Sequence, residues 1–238
     1  MGLDPREPLE TASRTAHKQQ MNQLLHVDAA RTVVVTVDMQ RNYLDREVAI
    51  RPLAAADAER LLTYGRKVLD RARSLGIPVI HAYVSRRPAE VKSGFDVSPA
   101  KKLKDQQEGR TINDRLEGSP QAQIPAALLG PDDVHVTTKK SMDAFLDTDL
   151  DVLLRRVYGA DTVVIMGINT DTCVLSTVFS ASNRGYKPIV VAECVASWRG
   201  KDQHRMALEL MAGSFVWVLT AEELMSKLSI TSPTAVAR

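Results

Sequence analysis

An α/β domain in three layers, with a doubly wound sheet of six parallel strands between helices, is the fold this sequence predicts. Three observations predict it. Short β-branched apolar runs alternate with amphipathic helical stretches from Arg31 onward. Gly76, Gly159 and Gly185 stand where the intervening helices should stop. The chain has 238 residues, 44% of them hydrophobic, and no low-complexity run, which is enough for one substantial core.

Residues 1–29 are polar and helix-compatible without a clean apolar stripe, so they read as an N-terminal arm lying over the domain or a neighbouring subunit. Residues 30–238 form a single domain. Its elements follow as strand 32–38, helix 54–75, strand 77–84, strand 133–138, helix 149–158 and strand 161–167. Helix 172–185, strand 187–192, helix 202–212, strand 214–219 and a last helix from Ala221 complete the pattern. Residues 85–125 break it, being polar with prolines near the start and no strong period. A connection of that length is read as a recognition loop over the site, one that a second subunit completes, or as a solvated excursion with some helix. Its Arg86 and Arg87 either meet an anionic substrate or are solvated.

Charge and composition exclude several roles. With 31 basic and 29 acidic residues the formal charge is +2, which lacks the electrostatic footprint of nucleic-acid binding. The N-terminal MGLDPREPLETASR has no apolar core for a signal peptide, and no apolar run approaches the ~20 residues of a membrane span, so a cytoplasmic location is expected. Cys173 and Cys194 are too few for a disulfide scaffold and fit a reducing compartment. A bridge between them is the lesser reading, although both follow what read as adjacent strands.

The stretch VVIMGINTDTCV, residues 163–174, carries the most chemistry. It runs a buried-type strand through a glycine and a polar turn into a cysteine at the start of a helix. Unpaired N–H groups and the helix dipole there stabilise both a thiolate and a developing oxyanion, which makes Cys173 a candidate nucleophile. The plainer reading is a small buried hydrophobe. Two more strands end in charge: VVVTVD (33–38) in Asp38 and VHVTTK (134–139) in Lys139. Carboxyl ends of parallel strands line the ligand crevice, so Asp38, Lys139 and Cys173 are offered to one place.

Three segments in this order, VDMQRNY (37–43), KKSMDAFLDTDLD (139–151) and GINTDTCV (167–174), resemble the isochorismatase-like cysteine hydrolases over roughly residues 30–228. The resemblance implies parallel strands in the order 3-2-1-4-5-6. It also implies a catalytic set in which Cys173 attacks a carbonyl, Asp38 accepts the thiol proton and Lys139 balances the charge. It further implies a cis peptide bond at Ile168–Asn169 and an oxyanion hole formed by the N–H groups of Asn169 and Cys173. Members that cleave vinyl ethers lack the cysteine, so its presence points to hydrolysis of a linear C–N bond, an amide, ureido or carbamoyl bond of a small molecule, through a thioester. Relatives are commonly homodimers or homotetramers, and no cofactor is expected.

Around this set, Gln40, Asn42 and Tyr43 follow Asp38 at the mouth and are candidate substrate contacts, Asn42 standing where many relatives have an acid. His81, near the end of the second strand, either borders the crevice or is structural. The five histidines, His17, His26, His81, His135 and His204, show no metal-ligand spacing, so no metal site is expected. Nicotinamidases resemble one another in a metal-binding D-x-H segment, which YLDREVAIRPLAAAD and HAYVSRRP do not reproduce, so nicotinamide is a poor fit. Asp171 and Thr172 read as helix caps. Phe145 is placed beneath the site and Trp198 over it, with plain packing the alternative for each. The rival readings are a non-catalytic ligand-binding α/β domain, for which no Gly-rich phosphate loop is present, and a redox protein, for which C-x-x-C is missing.

Overall fold

In the computed structural model the described residues are 15–93, 99–107, 109, 115–213 and 216–229, with the backbone alone at 15–17, 101, 105 and 229. The chain runs α1 (Thr15–Leu24), β1 (Thr32–Val37), α2 (Arg41–Leu44), α3 (Ala55–Ser74), β2 (Val79–Ala82), α4 (Pro88–Lys92) and α5 (Pro99–Gln107). It continues through β3 (Val134–Val136), α6 (Leu150–Val152), β4 (Thr162–Ile168), α7 (Leu175–Asn183), β5 (Lys187–Ala196), α8 (Lys201–Ala212), β6 (Trp217–Leu219) and α9 (Ala221–Ser229). The six strands pair in parallel in the order β3-β2-β1-β4-β5-β6, the order the resemblance implies.

The central strands are apolar on both sides because both faces are covered. Val34, Val164 and Ile189 point into a core with Leu61, Val68 and Leu69 of α3 and Leu224 and Leu228 of α9. Val33, Val35, Val163 and Val190 point the other way, onto Val178 and Ala181 of α7, Leu150 of α6 and Met211 of α8. Each such side chain stabilises the fold by about 1.5 to 3 kcal/mol relative to exposure. The order reverses beside β1, where β2 lies on one flank and β4 on the other, and that switch point opens a crevice at the carboxyl ends of the two strands.

One contact fixes those ends. Gly167 of β4 lies opposite Val37 of β1, and a Cβ built at 167 would stand 2.0 Å from the Val37 carbonyl oxygen. With φ at +136°, this position accepts only glycine. The register of β4 against β5 shifts between Ile165 and Gly167, a bulge of the kind that re-aims the chain beside a site.

Several expectations are corrected. β5 extends to Ala196, four residues beyond the expected end at 192, because the bulge restores its pairing through Val195 and Ala196. β2 and β3 are shorter than expected, and of the expected strand 214–219 the first two positions lie outside the described residues, with β6 running over Trp217–Leu219. Expected helix 149–158 is one α-turn that widens into a π-turn over Leu153–Val157. Part of the expected arm, residues 1–14, lies outside the described residues. The rest forms α1 and packs on the β6 edge, where Asn22 Nδ2 donates to the Val218 carbonyl at 3.3 Å and Trp217 Nε1 to that of Met21 at 3.3 Å. Among the described residues, the 85–125 segment holds α4, α5 and a parallel bridge from Arg86 to Leu116. No described helix is long and apolar enough to cross a membrane.

Candidate active site

Asp38 is the first residue beyond β1 and turns the chain with φ at +51°, in the left-handed region that aspartate tolerates better than most side chains. The turn buries the carboxylate completely. Oδ1 accepts the N–H of Val84 at 3.1 Å and Oδ2 accepts Lys139 Nζ at 2.7 Å. Lys139 is likewise fully enclosed, and its ammonium also donates to the Ser141 carbonyl at 2.8 Å. The thiol of Cys173 lies within electrostatic reach of the same Asp38 carboxylate. Carboxyl, amine and sulfur, offered by three separate strand ends, therefore meet at one point beside the switch.

The electrostatics follow from that contact. Burial pushes the Cys173 thiol up from its ordinary range, the Lys139 charge pulls it back, and Asp38 raises it again through charge and hydrogen bond. Burial also opposes the charge on Lys139, but Asp38 and the Cys173 sulfur outweigh it and hold the amine above its ordinary value. The resting site therefore holds a charged lysine and a protonated thiol. The Asp38 carboxylate beside it is the nearby group that can take that proton.

Cys173 sits within a π-turn, Thr170–Val174, that feeds α7. The Ile168–Asn169 peptide bond is cis, as the resemblance implies. Loop 139–151 is pinned to α7: Thr177 Oγ1 accepts the Ala144 N–H at 3.0 Å, and Ser180 Oγ donates to Asp143 Oδ2 at 2.7 Å. Lys139 and Cys173 are thus held by one helix. Phe145 packs in the core cluster that contains Val174, stacked on Tyr186 at 5.9 Å.

The remaining expected contacts divide. Gln40 is buried and ties the loop down, its Nε2 donating to the Val84 and Ala122 carbonyls at 2.8 Å each, which leaves Oε1 without a partner among the described residues. Asn42 accepts the Ile50 N–H through Oδ1 at 3.2 Å, while its Nδ2 has no such partner. The Tyr43 hydroxyl accepts a hydrogen bond from Arg115 at 3.2 Å. His81 is a correction: it shares a face with Val79 on the α3 side, because β2 alternates, and not with the crevice. Its ring is fully buried, bonded to the Thr36 hydroxyl at 2.7 Å and to Asp133 at 3.0 Å. Asp171 and Thr172 are also corrected, since neither caps the helix. The Asp171 carboxylate pairs with Arg199 at 2.7 Å and the Thr172 hydroxyl accepts the same guanidinium at 3.4 Å.

Sequence reasoning missed Arg115 and Arg51. Both are buried at about 5% exposure, and Arg115 is close enough to Cys173 to favour its anionic form. Arg51 lies 6.0 Å from the centre of the Trp198 ring, whose backbone N–H donates to Asn169 Oδ1 at 3.1 Å. Arg86 is buried as well, against the solvated reading, whereas Arg87 is exposed at the start of α4. Cys173 and Cys194 are both free thiols.

Known proteins resemble this chain in sequence and fold. The isochorismatase domain model matches residues 32–223. Maleamate amidohydrolase of Pseudomonas putida is 29% identical over 178 residues, 74% of this chain and 78% of its own length. Ureidoacrylate amidohydrolase RutB of Methylobacterium radiotolerans is 30% identical over 219 residues, 87% of this chain and 83% of its own. Among solved structures, a cysteine hydrolase from Pseudomonas syringae pv. phaseolicola superposes with a TM-score of 0.71 at 24% identity, covering 86% of this chain and 95% of the other, a likeness of fold.

Proposed function

The chain belongs to the isochorismatase family of hydrolases, and from that premise we propose that it is a cysteine-dependent amidohydrolase that cleaves a linear C–N bond of a small molecule. The observation that carries the reading is the buried Lys139–Asp38 pair with Cys173 within its electrostatic reach. As the sulfur attacks the substrate carbonyl carbon, the thiol proton passes to Asp38. The tetrahedral intermediate collapses as the C–N bond breaks, Asp38 returns that proton to the departing nitrogen, and a thioester remains on Cys173. Water then gives a proton to Asp38 and its oxygen to the thioester carbonyl. The acid leaves, and the proton returns to the thiol. Lys139 stays charged throughout and compensates the anion wherever it resides. The N–H groups of Asn169 and Cys173 receive the developing oxyanion, a contribution of about 3 kcal/mol per donor.

Arg115 adds a positive wall beside the thiol, which suits an amide or ureido compound that also bears a carboxylate. The maleamate and ureidoacrylate hydrolases among the relatives carry such substrates in their names. The test is ammonia release from a panel of small amides, ureido acids and carbamoyl compounds, each acid paired with its neutral ester. Turnover of an acid by the native chain, absent from Cys173→Ala, is the expected result. Equal background rates for both proteins across the panel reject the hydrolase.

A further inference from the structure

Four successive side chains lead up to Cys173, and all four are held from one distant segment. Asn169 Oδ1 accepts the backbone N–H of Trp198 at 3.1 Å. Thr170 Oγ1 and His204 Nδ1 are 2.8 Å apart. Asp171 Oδ2 and Thr172 Oγ1 accept the Arg199 guanidinium at 2.7 and 3.4 Å. The segment leaves β5, crosses over the turn and becomes the first residues of α8. We propose that Trp198–His204 is a positioning brace for the turn that presents the nucleophile, with Arg199 its main grip. The inference rests on the reading of Cys173 and Asn169 given above and extends it to residues that touch no reacting atom.

The backbone closes this turn in part through the Leu175 N–H, which returns to the Thr170 and Thr172 carbonyls. The N–H groups of Thr172 and Val174 both converge on the Asn169 carbonyl, at 3.1 and 3.0 Å, in the wide π-type opening of the helix. The side-chain ties add to these bonds in fixing where the 169 and 173 N–H groups point. Thr170 is fully buried and Asn169 nearly so, which makes their two ties rigid anchors. Arg199 is about a third exposed and grips from outside, so its loss removes the grip without opening the core. Its indole neighbour Trp198, at 5.9 Å from the guanidinium, limits where the arginine can swing.

The test compares Arg199→Ala, Arg199→Lys and Thr170→Val with the native chain on the best substrate of the panel. In Arg199→Ala, kcat should fall roughly tenfold to a hundredfold with KM little changed, the cost of a small displacement of donors used only in the transition state. Alkylation of Cys173 by iodoacetamide should stay at the native rate, because that reaction develops no carbonyl oxyanion. Hydrogen exchange across 169–174 should quicken, and Arg199→Lys should recover part of both losses. Native turnover in both Arg199→Ala and Thr170→Val, or faster exchange with kcat unchanged, overturns the brace. If Cys173→Ala is as active as the native chain, the hydrolase reading fails instead, and unchanged exchange in Arg199→Ala then rejects the brace on its own terms.

Discussion

Among the described residues, two clusters of largely enclosed ionisable side chains are built to opposite ends. On the α3 side, Arg73, Asp133, His81 and Thr36 form a closed chain. Asp133 accepts Arg73 at 2.7 Å, His81 at 3.0 Å and the Gly130 N–H at 2.6 Å, and Arg73 also donates to the Leu128 carbonyl at 2.7 Å. Each donor faces an acceptor, and His81 sits as the neutral tautomer that donates to Asp133 and accepts from Thr36. At the crevice, Lys139 pairs with Asp38 beside Cys173, but Cys173 as a residue is only half-buried and its proton has somewhere to go. A saturated network stabilises the fold, whereas one with a reactive group at an open edge can do chemistry.

Substitutions should separate the two. Cys173→Ala should lower kcat by on the order of ten-thousandfold or more, with stability within about 1 kcal/mol of native in urea unfolding. Asp38→Asn keeps the left-handed turn and should lower kcat about 100- to 10,000-fold, and it should also destabilise the chain because it strands the enclosed ammonium of Lys139. Asp133→Asn should do the reverse, costing about 2 to 3 kcal/mol of stability while the folded fraction keeps its kcat. Equal effects of Asp38→Asn and Asp133→Asn on both readouts would erase the contrast.

Acid and base sharpen it further. Because burial pushes the Cys173 thiol up, its alkylation should keep rising with pH above the ~8.5 at which a free thiol begins to level off, while Cys194, also pushed up by burial, is fully enclosed and stays unlabelled in the native state. The closed chain responds to acid. Burial lowers His81, so the unfolded chain binds its proton first and stability declines as pH falls below about 6.5. Burial opposes the charge on Asp133, but Arg73 and His81 outweigh it and hold the carboxyl below its ordinary range, so its contribution goes at lower pH still. His81→Gln should flatten the upper part of that slope in pH-dependent unfolding, the smallest of these effects.

The fold was legible because covered strands must be β-branched and apolar throughout, and VVVTV and VVIMGI announce themselves whatever packs on them. Asp38, Lys139 and Cys173 were legible for a related reason: each is the charged or reactive residue at or just beyond a strand's carboxyl end, where a parallel sheet opens. The face on which His81 points was not, because one residue of register decides it and the strand's limits were read too wide. Arg115 and Arg51 were hidden in segments without period, where burial depends on contacts that no local pattern encodes. The grip of Arg199 on Asp171 lay equally out of sight, since partners 28 positions apart meet only after β5 and β4 have paired.

The glycine at 167 has a wider reach than its size suggests. Where it presses on Val37, main chain meets main chain with no rotamer between them, so the gap separating the aspartate's corner from the cysteine's is a fixed dimension of the scaffold. Repacking the helices on either face can soften or stiffen the domain without rescaling that gap, which leaves the surrounding loops free to diversify for new substrates around an aperture of constant bore.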